Sequence, residues 1–344
     1  KPNGLTFPLV LLAADATRRR RPDLKIYAPY FALSAAAFAA TAWASQQTGT
    51  STTFHLPGAA WGAGQVLYGL LFYPWKTLWP SGLAAYYPPQ PWFGSWSWQI
   101  AACGTGVVAV CLLLRRSRAA AGLAACYALT LLPTLGLVSH GILYSAADRF
   151  SYLPCLALAL PFGALMARSP ARIAFAAVWL ITLGTLTWHQ CLVWQNPISL
   201  WSETARRSPS ALAKGNLGGA LVNKGFVENG VTQLRASVAE DPSQTIPHEA
   251  LGAALSRAGR EDEARAAWRA GLAAAPSAEL SALLGASLTK DDIAAGIALL
   301  RSAVLAEPEH ASWRVDLGDA LARGSRNVEA RRQYTVALDL EPQL

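Results

Sequence analysis

Leu251-Gly-Ala-Ala-Leu-Ser-Arg-Ala-Gly-Arg-Glu-Asp-Glu-Ala-Arg-Ala-Ala-Trp268, closed by Pro276, is one unit of a pattern that recurs through the C-terminal part of the chain. Leu-Gly returns at Leu217-Gly218, Leu251-Gly252, Leu284-Gly285 and Leu317-Gly318, spaced 34, 33 and 33 residues. Pro242, Pro276, Pro308 and Pro342 close the units, spaced 34, 32 and 34. Between them stand Gly230, Ala264, Gly296 and Ala330, and four positions after each come Leu234, Trp268, Leu300 and Tyr334. Small residues let paired helices approach, large ones fill the groove, and proline, lacking an N–H, ends the second helix.

This is the tetratricopeptide pattern, an all-α solenoid of stacked helix pairs. The third unit is one residue short between its helices, in Thr289–Asp292. The repeats run 211–244, 245–277, 278–310 and 311–344, with a half repeat over 197–210. Such arrays offer a concave surface to extended peptides or partner helices. Asn216, Asn223 and Lys224 are candidates to line it, a solvated helix face being the other reading. Nothing in the chain resembles a catalytic triad, a P-loop or a dinucleotide-binding turn.

Upstream the composition changes. The chain is 53% hydrophobic and 15% charged, below the roughly 25% charged of a soluble domain. Residues 1–194 carry 13 Lys and Arg against 3 Asp and Glu, and residues 195–344 carry 16 against 18. The cations of the first part cluster beside apolar runs rather than on a soluble face, which excludes nucleic acid as a partner. We read 1–194 as a polytopic helical membrane domain and 195–344 as the repeat domain. The chain opens at Lys1 without Met, and the reading is of a fragment whose N-terminal part is missing. Five cysteines lack C-x-x-C spacing, so no zinc site or disulfide framework is suggested, and no metal ligands are assigned.

Five stretches are expected to span, Tyr27–Ala44, Trp98–Leu114, Ala119–Val138, Phe150–Ala167 and Ile173–Trp188. Placing Arg18–Lys25, Arg115–Arg118 and Arg168–Arg172 together on the cytoplasmic side leaves Trp61–Leu83, with Pro74 and Pro80, as a broken or re-entrant helix at the outer interface. The repeats then lie outside, on the periplasmic side of a bacterial inner membrane. Asp148 is the one carboxylate between Asp23 and Glu203. An acid at a bilayer edge is costly unless paired, wetted or used; the plainer reading is a helix boundary in headgroup water. Lys1, Lys76 and Arg149 are the outer cations, and a snorkelling Lys76 or a simple Asp148–Arg149 ion pair is the plain alternative.

Lys1-Pro-Asn-Gly-Leu-Thr-Phe-Pro, Tyr73-Pro-Trp-Lys-Thr-Leu-Trp-Pro-Ser-Gly-Leu-Ala-Ala-Tyr-Tyr-Pro88, Leu132-Pro-Thr-Leu-Gly-Leu137 and Ala147-Asp-Arg-Phe-Ser-Tyr-Leu-Pro154 resemble the transmembrane-and-tetratricopeptide protein O-mannosyltransferase family and its bacterial relatives. That family is similar to the GT-C glycosyltransferases. The resemblance implies a membrane glycosyltransferase taking a sugar from a polyprenyl-phosphate carrier in the membrane to a protein acceptor gathered by the repeats. It implies Arg149, Lys76 and Lys1 for the carrier phosphate, with Asp148 orienting Arg149. His140, Tyr86, Tyr87 and Tyr152 are possible pocket residues. The family's acidic catalytic motif is expected upstream of Lys1, so no catalytic residue is named. Pro2 also departs from the Glu that animal members tend to carry. No cofactor is assigned beyond the donor, and a divalent metal stays open. The alternative from another class is a non-catalytic, membrane-anchored repeat scaffold for envelope or secretion assembly. A glycan ligase or flippase with the same outer cations is a third reading.

Overall fold

Helices are the regular elements of the computed structural model, which describes residues 6–17, 24–47, 58–95, 97–135 and 146–343; one isolated antiparallel bridge pairs Tyr87 with Ala146. The chain divides into two units, Lys1–Gln195 and Asn196–Leu344.

The first unit contains α1 (Phe7–Thr17), α2 (Leu24–Gln47), α3 (Ala59–Leu78), α4 (Trp98–Leu114), α5 (Arg118–Leu131), α6 (Tyr152–Met166) and α7 (Pro170–Val193). The five stretches expected to span thus coincide with helices, but their lengths differ from expectation. Among the described residues only α7 is, by itself, long and apolar enough to cross a membrane. Helices α4, α5 and α6 have 17, 14 and 15 residues, short of the roughly 20 a span needs. The stretch 119–138 leaves the α-helix at Leu131 because Pro133 has no N–H to continue it, and a 3-10 turn follows over Leu132–Thr134.

Trp61–Leu83, expected as a broken or re-entrant helix, is helical to Leu78: α3 carries Pro74 inside and stops before Pro80. It runs parallel to α4: Gly64 lies against Ile100, Leu67 against Gly104 and Leu71 against Gly106. Two successive parallel helices need a return. Residues 79–95 supply it, running back along α3 with Tyr87 against Phe72 (4.9 Å between centroids), Trp92 against Tyr68 (6.1 Å) and Phe93 against Trp61 (5.7 Å). The starts of α3 and α4 therefore lie at one level. The far end of α3 reaches the middle of α7, where Trp79 meets Trp179 at 6.2 Å. Tyr73, Tyr87, Tyr127, Leu131 and Leu135 form the buried core beside it.

The second unit contains α8 (Pro197–Arg207), α9 (Ala211–Asn223), α10 (Val227–Glu240), α11 (Thr245–Arg257), α12 (Glu261–Ala274), α13 (Ala278–Leu288), α14 (Ile293–Ala306), α15 (Ala311–Arg323) and α16 (Asn327–Leu340). After α8 these helices follow as four antiparallel pairs, α9–α10, α11–α12, α13–α14 and α15–α16. Ser210, Ser277 and Asp292 cap α9, α13 and α14 by accepting from backbone N–H groups three residues on. At each crossing the large residue of the second helix sits over the glycine of the first. A Cβ on Gly252 would stand 2.2 Å from Trp268 Nε1, and one on Gly318 would stand 2.4 Å from Tyr334 Cε1. Successive first helices α9, α11, α13 and α15 touch one another in a row.

The turn inside each pair explains the shortened third unit. Gly225 and Gly259 have φ of 89° and 74°, and Ser325 occupies the same place at 61°. In each of those turns a 6→1 bond closes the first helix, such as Arg260 N–H to Leu255 carbonyl at 2.9 Å. The third pair has lost the left-handed residue, and Asp292 N–H bonds Leu288 carbonyl at 2.8 Å instead.

Candidate functional sites

In the first unit the polar residues singled out from the sequence converge on the return segment. Asp148 lies in a 3-10 turn, Asp148–Phe150, just before α6. Its Oδ2 accepts the Ala84 N–H at 3.0 Å and its Oδ1 accepts the Tyr87 hydroxyl at 3.1 Å. The Gly82 carbonyl, 3.2 Å away, is an alternative acceptor for that hydroxyl. Next to it, the Ala147 N–H donates to the Tyr73 hydroxyl at 3.1 Å. Lys76 donates to the carbonyls of Ser81 and, at 3.3 Å, Gly82, with its ammonium 5.7 Å and 5.9 Å from the ring centroids of Phe72 and Tyr87.

The physical logic is one of backbone satisfaction. A chain that leaves helix geometry inside a packed, apolar unit exposes N–H and C=O groups that must find partners. Here side chains from α3, from residue 87 and from the turn before α6 supply them. Burial pushes the Asp148 carboxyl up to about 6, against the pull of Tyr87, Ala84 and Lys76. Burial, with Asp148 second, pushes the Tyr87 phenol up as well.

Asp148, Lys76 and Tyr87 are thus brought together, as a clasp between residues 79–90 and 146–148. Tyr86 is half-buried beside it, while Tyr152 opens α6 and is exposed. The expectations on Lys1, on His140 and on the Arg149 side chain fall outside the described residues. The clasp role of Tyr87 and Tyr73 was not read from the sequence. For Tyr87 the signal was a buried-type aromatic in an irregular stretch, which only matters once the chain doubles back; Tyr73 lies inside α3. Among the described residues no three His, Cys, Asp or Glu side chains group to hold a metal.

In the second unit Asn216, Asn223 and Lys224 are all exposed on or just after α9. Asn216 donates to the Leu212 carbonyl at 2.9 Å, one turn back. Further along the row of first helices, burial raises the carboxyls of Glu249 and Asp316, Asp316 with help from Asp319. A separate cavity of about 360 Å³ lies between α14 and the α15–α16 turn, lined by Ile293, Ile297, Arg301 and Arg326 among others. Both of its arginines are held by Glu329 at 2.6 Å.

No family model matches the chain, and no curated protein matches it. The chain is similar in structure to repeat proteins. MamA is 17% identical, covering 42% of this chain and 87% of that one, with a TM-score of 0.39. MamA from Desulfovibrio magneticus RS-1 is 24% identical, covering 47% and 95%, with a TM-score of 0.40. YrrB, described as a TPR protein with an unusual peptide-binding site, is 14% identical, covering 42% and 76%, with a TM-score of 0.37. These findings correct the family resemblance drawn from the sequence. The O-mannosyltransferase family is not among them, and the neighbours are tetratricopeptide proteins. The short motifs that carried the resemblance are apolar and proline-rich, a composition that helix ends packed in an apolar unit favour in their own right.

Proposed function

We propose that the protein is a non-catalytic, membrane-anchored scaffold whose repeats dock a segment of a partner protein. The observation that carries this is the continuous row of first helices α9, α11, α13 and α15, with polar side chains exposed along it. A solenoid of this kind presents an extended concave surface suited to binding.

Anchoring rests on the first unit. No residue of α7 is buried, and Ile173, Phe175, Val178, Leu180, Ile181 and Trp188 are all more than half exposed. An apolar surface of that extent calls for lipid or protein cover. We further propose that α2 and α4–α6 cross with α7, the irregular segments completing the thickness that short helices leave. Lys25 opens α2, Arg115–Arg118 join α4 to α5, and Arg168 and Arg172 flank the α6–α7 turn. Exposed Trp43, Trp98 and Trp188 mark the opposite ends. Cations on the cytoplasmic side then put the repeats outside, in the periplasm of a bacterial inner membrane.

The test is a photo-crosslinking residue at Asn216 or Asn223 in the full chain, with one at Val328 on a second helix as control. Discrete protein adducts from the first two positions, in membranes that resist alkaline carbonate extraction, are expected. Recovery in the carbonate supernatant would remove the anchor. Equal adducts from Val328, or none from Asn216 and Asn223, would remove the docking face.

A further inference from the structure

Lys224, Arg257, Lys290 and Arg323 are spaced 33, 33 and 33 residues apart. Each is exposed at the end of a first helix or within two residues past it. The helix dipole favours a cation there, which accounts for the placement but not for what these side chains face. Most other cations of the unit are held by acids, while Arg269, Arg331 and Arg332, which among the described residues are also unpaired, lie on the second helices α12 and α16. Arg235 and Arg260 hold Glu263, Arg301 and Arg326 hold Glu329, Arg265 holds Asp291, and Lys214 holds Glu240. The acids at the starts of the second helices are thus used by arginines of the second helices and turns. Among the described residues, the side chains of Lys224, Arg257 and Lys290 make no ion pair or hydrogen bond. Arg323 differs, donating to Thr289 Oγ1 at 2.8 Å. One turn before the three free cations stand Ala220, Ala253 and Ala286, half-buried and also 33 apart; the fourth equivalent is Asp319.

We propose that Lys224, Arg257 and Lys290 form a cationic ladder, floored by alanines, that holds an extended acidic segment of a partner protein. The proposal rests on the docking reading and names the partner's chemistry. Neighbouring packed helices lie about 8–10 Å apart. A polyproline-type strand returns the same face every third residue, after about 9 Å, so acids three residues apart meet successive rungs. The alanines leave room for the strand's backbone. A nucleic acid suits the strip less well, because residues 195–344 carry 18 acids against 16 cations and the ladder and its alanine floor contain no aromatic ring for base stacking.

The experiment uses the full chain in nanodiscs of zwitterionic lipid and fluorescein-labelled (Glu-Pro-Ser)4, with (Gln-Pro-Ser)4 and (Lys-Pro-Ser)4 as comparators, read by anisotropy. Binding of the Glu peptide alone, weakening with salt, is expected. Lys224→Ala, Arg257→Ala and Lys290→Ala each lose about threefold, as exposed ion pairs do. The triple charge reversal to Glu loses about thirtyfold or more, with an unchanged thermal melt. No binding of the Glu peptide, undiminished binding by the triple variant, or equal binding of the Gln peptide overturns the ladder. Tighter, ladder-dependent binding of oligothymidylate or of phosphatidylglycerol vesicles would overturn it too, reassigning the strip to phosphate. Cross-linking from Asn216 is independent of these outcomes, so the ladder can fall while the docking face stands.

Discussion

In the second unit, Gly218, Gly252, Gly285 and Gly318 are each pressed by a side chain of the paired helix, whereas Gly163 on α6 and Gly184 on α7 have nothing within 4 Å. The same residue type therefore does two jobs. In the repeats glycine is a packing requirement, because paired helices close onto each other and bury Leu234, Trp268 and Leu300. In the first unit α7 turns its apolar side chains outward, and polar contacts gather where the backbone leaves the helix. The repeats interlock along their whole length, whereas in the first unit interlocked side chains are confined to a core around α3, α4 and α5, where a Cβ on Gly69 would stand 2.5 Å from Leu135, and hydrogen bonds hold the irregular turns.

The largest expected effect breaks that contrast directly. Gly252→Ala puts a Cβ 2.2 Å from Trp268 Nε1, and relieving such overpacking costs about 1–3 kcal/mol. Gly184→Ala meets no neighbour and should leave stability unchanged or raised by less than about 1 kcal/mol. Thermal unfolding of the full chain by circular dichroism separates the two. Comparable losses would mean that α7 is packed against something the contrast omits.

The clasp is next. Asp148 is held near 6 in the folded protein against 3.8 for an ordinary carboxyl, so the folded state binds its proton more tightly. Stability from this group is complete below about pH 4, is lost as pH rises towards 6, and is level above that. Protection factors of the Ala84 amide, corrected for intrinsic exchange, should fall across that window and be level in Asp148→Asn. A rise across the window would reverse the sign and make the ionised form the better clasp.

Ser325 carries φ of 61° where the first two turns use glycine. Ser325→Gly should stabilise the last repeat by about 0.5–1 kcal/mol, the relief of a left-handed residue with a Cβ, seen as a higher urea midpoint. Glu329→Gln, which frees Arg301 and Arg326 at the surface, should have the smallest effect and vanish at high salt.

The repeat fold was legible because its constraints are local and periodic. A small residue at Gly230 or Ala264 and a large one four positions later share one helix face whatever the rest of the chain does. The clasp was only half legible. Asp148 stood out because an isolated acid in an apolar stretch must be accounted for, but the sequence placed its partner next door at Arg149. The described partners come from residues 84 and 87, more than 60 positions away, because residues 79–95 double back along α3. Lys76 likewise reads as a free outer cation in the sequence and is engaged by the Ser81 and Gly82 carbonyls in the structure.

The sequence alone determined the helical class, the repeat register, the crossing glycines and the missing residue of the third turn, since each follows from spacing along one or two helices. Tertiary structure decided the continuity of α3 through Pro74, the parallel run of α3 and α4, and which hydrogen bonds Asp148 and Tyr87 make. It also decided which cations are left without an acid, because Lys224 and Arg260 are equally charged in the sequence. Only the placement of Glu228 and Glu263 beside Arg260 distinguishes them. Pairing is a question of distance in space, and distance in space is what periodicity along a chain does not carry.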